Sequence, residues 1–589
     1  MAAAGRISGK GIIVQKPLQC RNPDDGHRAA KFSPNALPHT KSASRAPHRM
    51  KVRTRIVAAL LALALVWFGT LQYRKLVKPD EGRYAEIPRE MIATGDWLTP
   101  RLNGIKYFEK PPLQYWATAA AYEAFGTVEW TSRLWTALTG FAGLLLAGFT
   151  ARRLFGPTAG LVAVATLASS LLYLAMAHID TLDMGFTFFL ELAVFGFLLA
   201  QDGARRWMLL GWIGLGLAVL SKGIAALVLT GGTLVLYSLL TRDWSPWRRF
   251  EFLRGLPLFL LITAPWFVAV SMANPEFPNF FFIHEHFDRF LTKVHRRYEP
   301  VWFFIPVLLL GALPWTTLAL QALGEAWSRR AMPEFQVRRF LLLWCVVVFG
   351  FFSVSNSKLP SYILPMFPAL ALLLADFLNR VTRRTLLRHL AVAVVVALSA
   401  LILAPRFIEQ ADEVTPMEMV GPYAEWLIIA AAIWFAATLA ALGLAWRQRR
   451  TAAVLALSVG ALVAGMIALL GHENLNGSSS AWSVAQKVKP LLGPGVPFYS
   501  YRMYDQTLPF YIERTVTLVA HPDEMAFGLA QEPNKWLPSM DDFKRHWNSD
   551  ADAFAIMELD DYDALRQEGL PMTEIARDTR RVIVRKPQS

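Results

Sequence analysis

The sequence predicts a polytopic α-helical membrane protein that ends in a small α/β domain. Three observations lead to this fold class. The 589 residues are 54% hydrophobic and only 18% charged, whereas about a quarter of the residues of a soluble domain are charged. Long apolar runs recur between residues 56 and 471, and runs of about 18 residues or more predict membrane-spanning helices. The polar tail 472–589 instead alternates β-like runs with helical stretches, which is typical of a small α/β domain.

The same composition excludes several classes of protein. The apolar runs are incompatible with a soluble multidomain enzyme, and two cysteines, Cys20 and Cys345, are too few for a disulfide-built scaffold. The net charge of +15 does not require nucleic acid, because membrane proteins concentrate arginine in their cytoplasmic loops. The sequence has no P-loop, dinucleotide-binding, zinc-protease or CxxC motif, so nucleotide-dependent and thiol chemistry are not expected.

The elements follow one another from a polar N-terminus. Residues 1–50 lack periodicity and are interpreted as a leader or disordered segment outside the fold. The transmembrane domain is predicted over 51–471, with thirteen spans at 56–77, 130–151, 157–178, 182–201, 207–221, 223–240, 254–272, 301–323, 340–355, 360–378, 389–404, 423–446 and 452–471. One further apolar segment, 112–127, is short and carries Glu123. It is predicted to lie at the membrane surface.

The predicted topology rests on the distribution of arginines between the two sides of the membrane. When 112–127 does not span, eighteen arginines fall on one side of the membrane, and the short loops of the other side hold only Lys222, Lys358 and Arg406. The positive-inside rule makes the arginine-rich side cytoplasmic. Three large regions then face outward: the first outer loop 78–129, the second outer loop 273–300, and the tail 472–589. The tail is predicted to begin with a Gly/Ser linker, NGSSS at 476–480, before its α/β domain.

Two ionisable clusters lie in the first outer loop. KPDEGRYAEIPREM (78–91) follows the first span and is predicted to continue as an amphipathic surface helix. Its Asp80 could be a functional acid or only the N-cap of that helix. YFEKPPLQYW (107–116) precedes the surface segment. Its aromatic and basic residues could bind a ligand or only anchor the chain at headgroup depth.

Four more clusters fall on the same face, and they contain Asp180 and Asp183 (178–186), Lys222 (221–223), His284, His286 and Arg289 (280–290), and Lys358 (355–362). An ammonium in an apolar stretch is costly, so Lys222 favours an anionic partner, with snorkelling as the alternative. His284, His286 and Glu109 are the candidate metal ligands, but they do not define a site. No cofactor is required, and a divalent metal is not indicated. Together the clusters predict a site for a lipid phosphate at the outer leaflet.

The motifs DEGRYAEIPREM, YFEKPPLQYW, TLDM, SKG, EHFDRF and SKLPSYILP resemble those of the bacterial lipid A 4-amino-4-deoxy-L-arabinose transferases. These are GT-C-fold glycosyltransferases related to protein mannosyltransferases. The likeness runs from about residue 56 to 380 and is weak in the tail. The resemblance implies transfer of aminoarabinose from undecaprenyl phosphate to a lipid A phosphate, on the periplasmic side of the inner membrane, by a monomer. This modification gives resistance to polymyxin and cationic peptides.

The resemblance also implies roles for single residues. Asp80 matches the main catalytic acid and Asp183 a second functional acid. The residues implied at the donor phosphate are Arg83, Tyr84, Tyr107, Lys110 and Lys222. Those expected at the acceptor or the sugar are Glu109, His286, Arg289 and Lys358. Asp80 could deprotonate the acceptor phosphate, orient it, or pair with the ammonium of the sugar, and the sequence leaves this open.

Three alternative functions remain open. A protein O-mannosyltransferase-like enzyme would use Asp80 as general base on an acceptor hydroxyl. A transporter of lipid-linked sugar would show inverted repeats and broken helices at the midplane, and the sequence shows neither. A non-catalytic lipid-binding scaffold would not need clustered acids.

Overall fold

The computed structural model describes residues 46–288, 299–327 and 335–588, and the side chains of 46–53, 55–56, 202 and 286–288 are excluded from that description. The chain divides into two compact units, Met1–Leu60 and Leu61–Ser589. The transmembrane helices after Leu61 and the C-terminal domain therefore belong to the same unit.

Helices form wherever the sequence predicts an apolar span. The first half of the chain contains α1 (Ala46–Phe68), α2 (Asp80–Thr94), α3 (Leu113–Phe125), α4 (Glu129–Phe155), α5 (Pro157–Ala168), α6 (Leu171–Met176), α7 (Leu182–Asp202), α8 (Arg206–Lys222), α9 (Ala225–Thr241) and α10 (Phe252–Ala273), followed by a π-helical turn at Asn279–Asp288. The membrane helices of the second half are α11 (Phe304–Gly311), α12 (Thr316–Ala326), α13 (Val337–Val354), α14 (Phe367–Arg380), α15 (Arg383–Leu403), α16 (Met417–Trp446) and α17 (Arg450–Gly471).

Eight helices among the described residues are long and apolar enough to cross a membrane, or nine if one bent pair counts as a single span. A multi-pass membrane protein is thus confirmed, and the number thirteen stays a prediction. The segment predicted as a span at 301–323 is bent. α11 and α12 meet at 111°, on either side of Pro314, whose ring cannot continue a regular helix. α3 has 13 residues, about 20 Å, which is short of the ~30 Å hydrocarbon core.

The C-terminal domain is built on a six-stranded mixed sheet. Its strand order is β5-β4-β3-β6-β8-β7, with β3, β4, β5 and β6 mutually parallel and β8 antiparallel to both neighbours. The strands are β3 (Phe498–Tyr501), β4 (Thr517–Val519), β5 (Trp536–Leu537), β6 (Phe554–Glu558), β7 (Thr573–Arg577) and β8 (Arg581–Arg585); β1 (Arg101–Leu102) and β2 (Ile105–Lys106) form a hairpin in the first outer loop. Helices of the domain are α18 (Asn476–Ser479), α19 (Trp482–Val488), α20 (Leu508–Ile512), α21 (Ala526–Gln531), α22 (Met540–Ser549) and α23 (Leu559–Gln567). The predicted α/β domain is confirmed.

The two faces of this sheet have different partners, because successive residues of a strand point to opposite sides. Phe498 and Ile556 belong to a core that also contains Tyr84 and Ile87 of α2. Tyr499 and its neighbours pack with the aromatic side of α22 in a separate core. One face of the C-terminal domain thus closes directly over the first outer loop.

Two expectations about these regions are wrong. α2 is not a surface helix: ten of its fifteen residues are buried. A Cβ on its Gly82 would stand 2.5 Å from the carbonyl carbon of Gln506, so the glycine permits backbone-to-backbone contact with the C-terminal domain. The NGSSS segment is not a flexible linker either. It forms α18, and the fully buried Arg581 donates to the carbonyls of Gly477 at 3.0 Å and Ser480 at 2.6 Å.

Candidate active site

The carboxylate of Asp80 is the partly exposed acid at the start of α2. The N-cap position belongs to Pro79, without a side-chain capping bond, so Asp80 is not the cap that the sequence left as an alternative. Its Oδ1 accepts a hydrogen bond from Nη1 of Arg83 at 2.9 Å, and the Asp80 side chain remains 34% exposed. Asp80 is therefore accessible, and a guanidinium orients it.

The neighbouring acid, Glu81, points the other way and is 1% exposed. Its oxygens accept from Nε and Nη2 of Arg133 on α4 at 2.7 and 2.9 Å, and from the backbone amides of Val77 and Asp180 at 3.0 Å each. Burial alone would raise the pKa of Glu81, but the charges of Arg133 and Arg74 outweigh it and hold that pKa at about 2. Glu81 fixes the start of α2 to the membrane helices.

Arg83 is buried and joins the first outer loop to the C-terminal domain. Its Nη2 forms an ion pair with Oε2 of Glu524, and Oε1 of Glu524 accepts from Nε2 of Gln506 at 3.0 Å. Burial disfavours the charged guanidinium, but the acidic groups around it keep the pKa of Arg83 well above its usual value. The buried Nε of Arg83 has no hydrogen-bond partner among the described residues. It is a buried donor that no described acceptor satisfies.

Three tyrosines lie near this guanidinium, and Glu109 lies near the tyrosines. Tyr84 stacks on Tyr115 of α3 with ring centroids 6.2 Å apart, and the hydroxyl of Tyr107 donates to Glu524 at 3.5 Å. Burial raises the pKa of Tyr107, and Glu109 acts in the same direction. Burial and then the charge of Asp80 raise the pKa of Tyr84, and Glu109 acts in the same direction. The structure thus brings the predicted residues of both first-loop motifs into one cluster.

Lys110 connects this cluster to the second outer loop. Its Nζ donates to the backbone carbonyl of Glu109 at 2.7 Å and to Oε2 of Glu285 at 3.2 Å. Glu285 lies in the π-helical turn and its side chain is buried. His284 stacks on Phe280 at 5.4 Å between ring centroids. The side chain of His286 and the whole of Arg289 are outside the described residues, so their predicted roles stay predictions.

A second ion pair lies at the N-terminal end of α7 and the C-terminal end of α8. Lys222 forms an ion pair with Asp183, and its Nζ lies 4.3 Å from the ring centroid of Tyr362. Three motifs that are distant in sequence therefore meet here. Asp180, three residues earlier, is fully buried and accepts from Nε2 of Gln114 at 2.6 Å. Burial and then the charge of Glu81 raise the pKa of Asp180 well above the usual value.

Lys358 lies where two loop segments meet. Its Nζ donates to the backbone carbonyls of Ser355 at 2.6 Å and Glu299 at 2.8 Å. These two hydrogen bonds join the loop segments that contain Ser355 and Glu299. Within 46–288, 299–327 and 335–588 there is also no group of three His, Cys, Asp or Glu side chains that could hold a metal ion.

Sequence reasoning missed Glu524, Gln506, Glu285 and Tyr362. Tyr362 and Glu285 stand inside motifs that the sequence had already marked, so their position was an available clue. Glu524 and Gln506 come from the C-terminal domain. Neither stands in a distinctive motif, and only the packing of that domain on α2 reveals them.

The arrangement suits chemistry on a phosphate. Arg83 supplies a buried guanidinium, Lys110 and Lys222 supply ammonium groups, and Asp80 supplies an accessible carboxylate. Fixed cations of this kind stabilise the charge that develops on a leaving phosphate.

Two family models match this sequence. The model of the aminoarabinose transferase C-terminal domain matches residues 484–586, and the model of dolichyl-phosphate-mannose-protein mannosyltransferases matches 52–281. Undecaprenyl phosphate-alpha-4-amino-4-deoxy-L-arabinose arabinosyl transferases from Edwardsiella ictaluri and Pseudomonas aeruginosa are 36% and 37% identical over 324 and 326 residues. Each alignment covers 54% of this chain and 58% of the relative, which is less than two thirds of the relative's length.

The solved structures extend the match to the whole fold. The crystal structure of ArnT from Cupriavidus metallidurans bound to undecaprenyl phosphate has a TM-score of 0.87 and 37% identity, and the match covers 91% of this chain and 99% of that chain. The chain belongs to the ArnT family. The apo structure of the same ArnT has a TM-score of 0.85 and 38% identity. The GT-C fold and the family that the motifs implied are confirmed, and the likeness to ArnT includes the C-terminal domain, where the motifs alone indicated little.

Proposed function

We propose that this chain transfers 4-amino-4-deoxy-L-arabinose from undecaprenyl phosphate to a phosphate of lipid A, and so gives resistance to polymyxin. The observation that carries the proposal is the Arg83 site: a buried guanidinium beside the accessible carboxylate of Asp80. Its family relatives are named for the same donor lipid and sugar.

In the proposed reaction an oxygen of the lipid A phosphate attacks the anomeric carbon of the sugar. The bond between that carbon and the donor phosphate breaks, and undecaprenyl phosphate leaves with the bonding electrons. Arg83 and Lys110 stabilise the charge on the leaving phosphate. Asp80 orients the acceptor phosphate, or takes its proton when that phosphate enters protonated.

The reaction is proposed on the periplasmic face of the inner membrane. Support comes from the arginine distribution, and from the position of the Asp80 and Lys222 clusters at the helix ends opposite the arginine-rich turns. Reporter fusions after residue 127 should behave as periplasmic and fusions after Arg153 as cytoplasmic. The reverse result at 127 would overturn the topology.

The activity is tested with purified protein, labelled undecaprenyl-phosphate aminoarabinose and lipid A. In a strain that makes the donor but lacks its own transferase, the wild-type gene should add aminoarabinose to lipid A, seen by mass spectrometry, and restore polymyxin resistance. Asp80→Asn should do neither at equal expression. Unmodified lipid A together with newly glycosylated protein would favour the protein O-mannosyltransferase-like alternative.

A further inference from the structure

An apolar cavity of about 330 Å³ lies between α8, α9 and α10, and it is also bordered by α7 and α13. Every described lining residue except Thr230 is a glycine or has an aliphatic, aromatic or thioether side chain. The lining covers 208–215 of α8, 227–234 of α9 and 252–259 of α10, which is about 10 Å along each helix. The cavity is therefore long enough to hold part of a lipid chain.

The cavity opens toward the lipid that surrounds the helices. Leu227, Trp247 and Phe252 line it, and all three side chains are exposed. Gly231 also lines it, and a Cβ added to this glycine would meet no described atom within 4 Å. An acyl chain can therefore enter from the bilayer and contact apolar groups along its length, and such dispersion contacts are collectively large.

The turns at one end of the cavity are rich in arginine. Residues 202–206 and 242–254 together hold six arginines and three acids. Arg205 and Arg254 both pair with Glu251, at 3.2 and 3.6 Å, and their side chains are 66% and 77% exposed. Two accessible guanidiniums thus share a single carboxylate, so the positive charge of this surface is only partly compensated.

This positive charge adjoins the cavity directly. Glu251 stands between Phe250 and Phe252 in the chain, and both phenylalanines line the cavity. Trp247 lines it too, and its ring stacks on Trp244 with ring centroids 6.1 Å apart. Tryptophans collect at headgroup depth in membrane proteins. The cavity therefore begins at the level where a phospholipid carries its phosphate.

We infer that this cavity binds one anionic phospholipid of the leaflet on the arginine-rich side, with an acyl chain in the cavity and the phosphate at Arg205 and Arg254. Basic pockets between membrane helices are typical sites for anionic headgroups on the cytoplasmic side. Undecaprenyl phosphate is the other lipid to consider, but its phosphate is proposed to bind at Arg83, on the opposite face of the membrane domain. A phosphate at Arg254 requires a lipid whose headgroup lies in this leaflet.

The headgroup is tested by titrating the detergent-purified, full-length protein with phosphatidylglycerol, or with phosphatidylcholine of the same acyl chains, while the melting temperature is followed. Phosphatidylglycerol should stabilise the wild type at lower concentration, because only this lipid has a net negative charge. Arg205→Gln and Arg254→Gln should each weaken its apparent affinity about 5-fold, the effect of one basic residue near a lipid surface. Each variant leaves Glu251 paired with the other arginine. Arg384→Gln, on the exposed part of α15, changes the charge equally and should have no effect.

The cavity is tested by filling it. Gly231→Leu should weaken the apparent affinity for phosphatidylglycerol about 10-fold or more, which corresponds to about two methylene groups left unburied. Gly443→Leu in α16 is the matched control, because a Cβ there also meets no described atom within 4 Å and Gly443 does not line this cavity. Gly443→Leu should bind like the wild type. If Gly231→Leu does not fold, Thr230→Leu fills the cavity from the preceding position.

The outcomes are distinct. Equal affinity of the wild type for the two phospholipids overturns the inference, and so does a preference for phosphatidylglycerol that is unchanged in both arginine variants. An arginine effect without any effect of the cavity-filling variant means that phosphate binds at the surface only, which glycerol phosphate would then reproduce, and this also overturns it. If filling the cavity abolishes stabilisation by undecaprenyl phosphate but not by phosphatidylglycerol, the cavity holds the chain of the carrier lipid and the inference is wrong.

Discussion

Asp80 and Glu81 are adjacent acids for which the structure predicts opposite phenotypes. Glu81→Gln removes the charge that faces Arg133, while both side chains are 1% exposed. It also places an amide donor among the four donors that the carboxylate satisfied. Leaving one member of a buried ion pair without its partner costs about 3–5 kcal/mol. Glu81→Gln should therefore destabilise the protein strongly.

Asp80→Asn should behave differently. It removes one of two acids that pair with the buried Arg83, and Glu524 keeps that guanidinium paired. No capping bond is lost, so the effect on stability should be small. Thermal unfolding of the detergent-purified variants should place Asp80→Asn at the wild-type temperature and Glu81→Gln well below it.

Transfer activity completes the comparison. Per folded molecule, Asp80→Asn should be inactive and Glu81→Gln should retain activity at low temperature. The reasoning is refuted if Glu81→Gln melts with the wild type, or if Asp80→Asn retains transfer.

Three further predictions test other parts of the first outer loop. Burial raises the pKa of Glu90 well above the usual value, so the folded state holds a proton that the unfolded chain releases. The stability of the protein therefore falls as pH rises above the ordinary carboxyl range. Glu90→Gln should raise the melting temperature at pH 7–8 and flatten its pH dependence. Gly82→Val should cost about 1–3 kcal/mol or more, because its Cβ meets the Gln506 backbone, and limited proteolysis should then release the C-terminal domain. Lys110→Ala should lose most of the thermal stabilisation given by undecaprenyl phosphate, whereas Lys106→Ala, which breaks a comparable pair with an acid at 2.6 Å, should keep it.

The membrane helices were predictable because a span of this length has to be apolar whatever its neighbours are. Each predicted segment contains a helix. Hydropathy does not show whether an apolar segment forms one continuous helix. The segment 157–178 breaks at Ser169 between α5 and α6, and 301–323 bends before Thr316, although the apolar runs pass through both points.

α2 shows why the polar part of the fold was harder to predict from the sequence. Its sequence looks like a surface helix because it carries Glu81, Arg83, Glu86 and Glu90, yet all four are buried. A charged residue can be buried when a partner compensates it. Arg133 on α4 compensates Glu81, and Glu524 in the C-terminal domain compensates Arg83; both partners are remote in sequence. The first-loop cluster was predictable from its own motifs, whereas the acid that completes it was not.

The remoteness of Glu524 has a consequence for biogenesis. The ribosome makes Glu524 417 positions after Tyr107, and strand β8, which lies between β6 and β7 in the sheet, is made later still. A nascent chain with all its membrane helices inserted therefore has an Arg83 that still lacks its C-terminal partner. The cluster is complete only after the C-terminal sheet has folded over the first loop, so partly synthesised or truncated chains should be unable to consume the lipid-linked sugar.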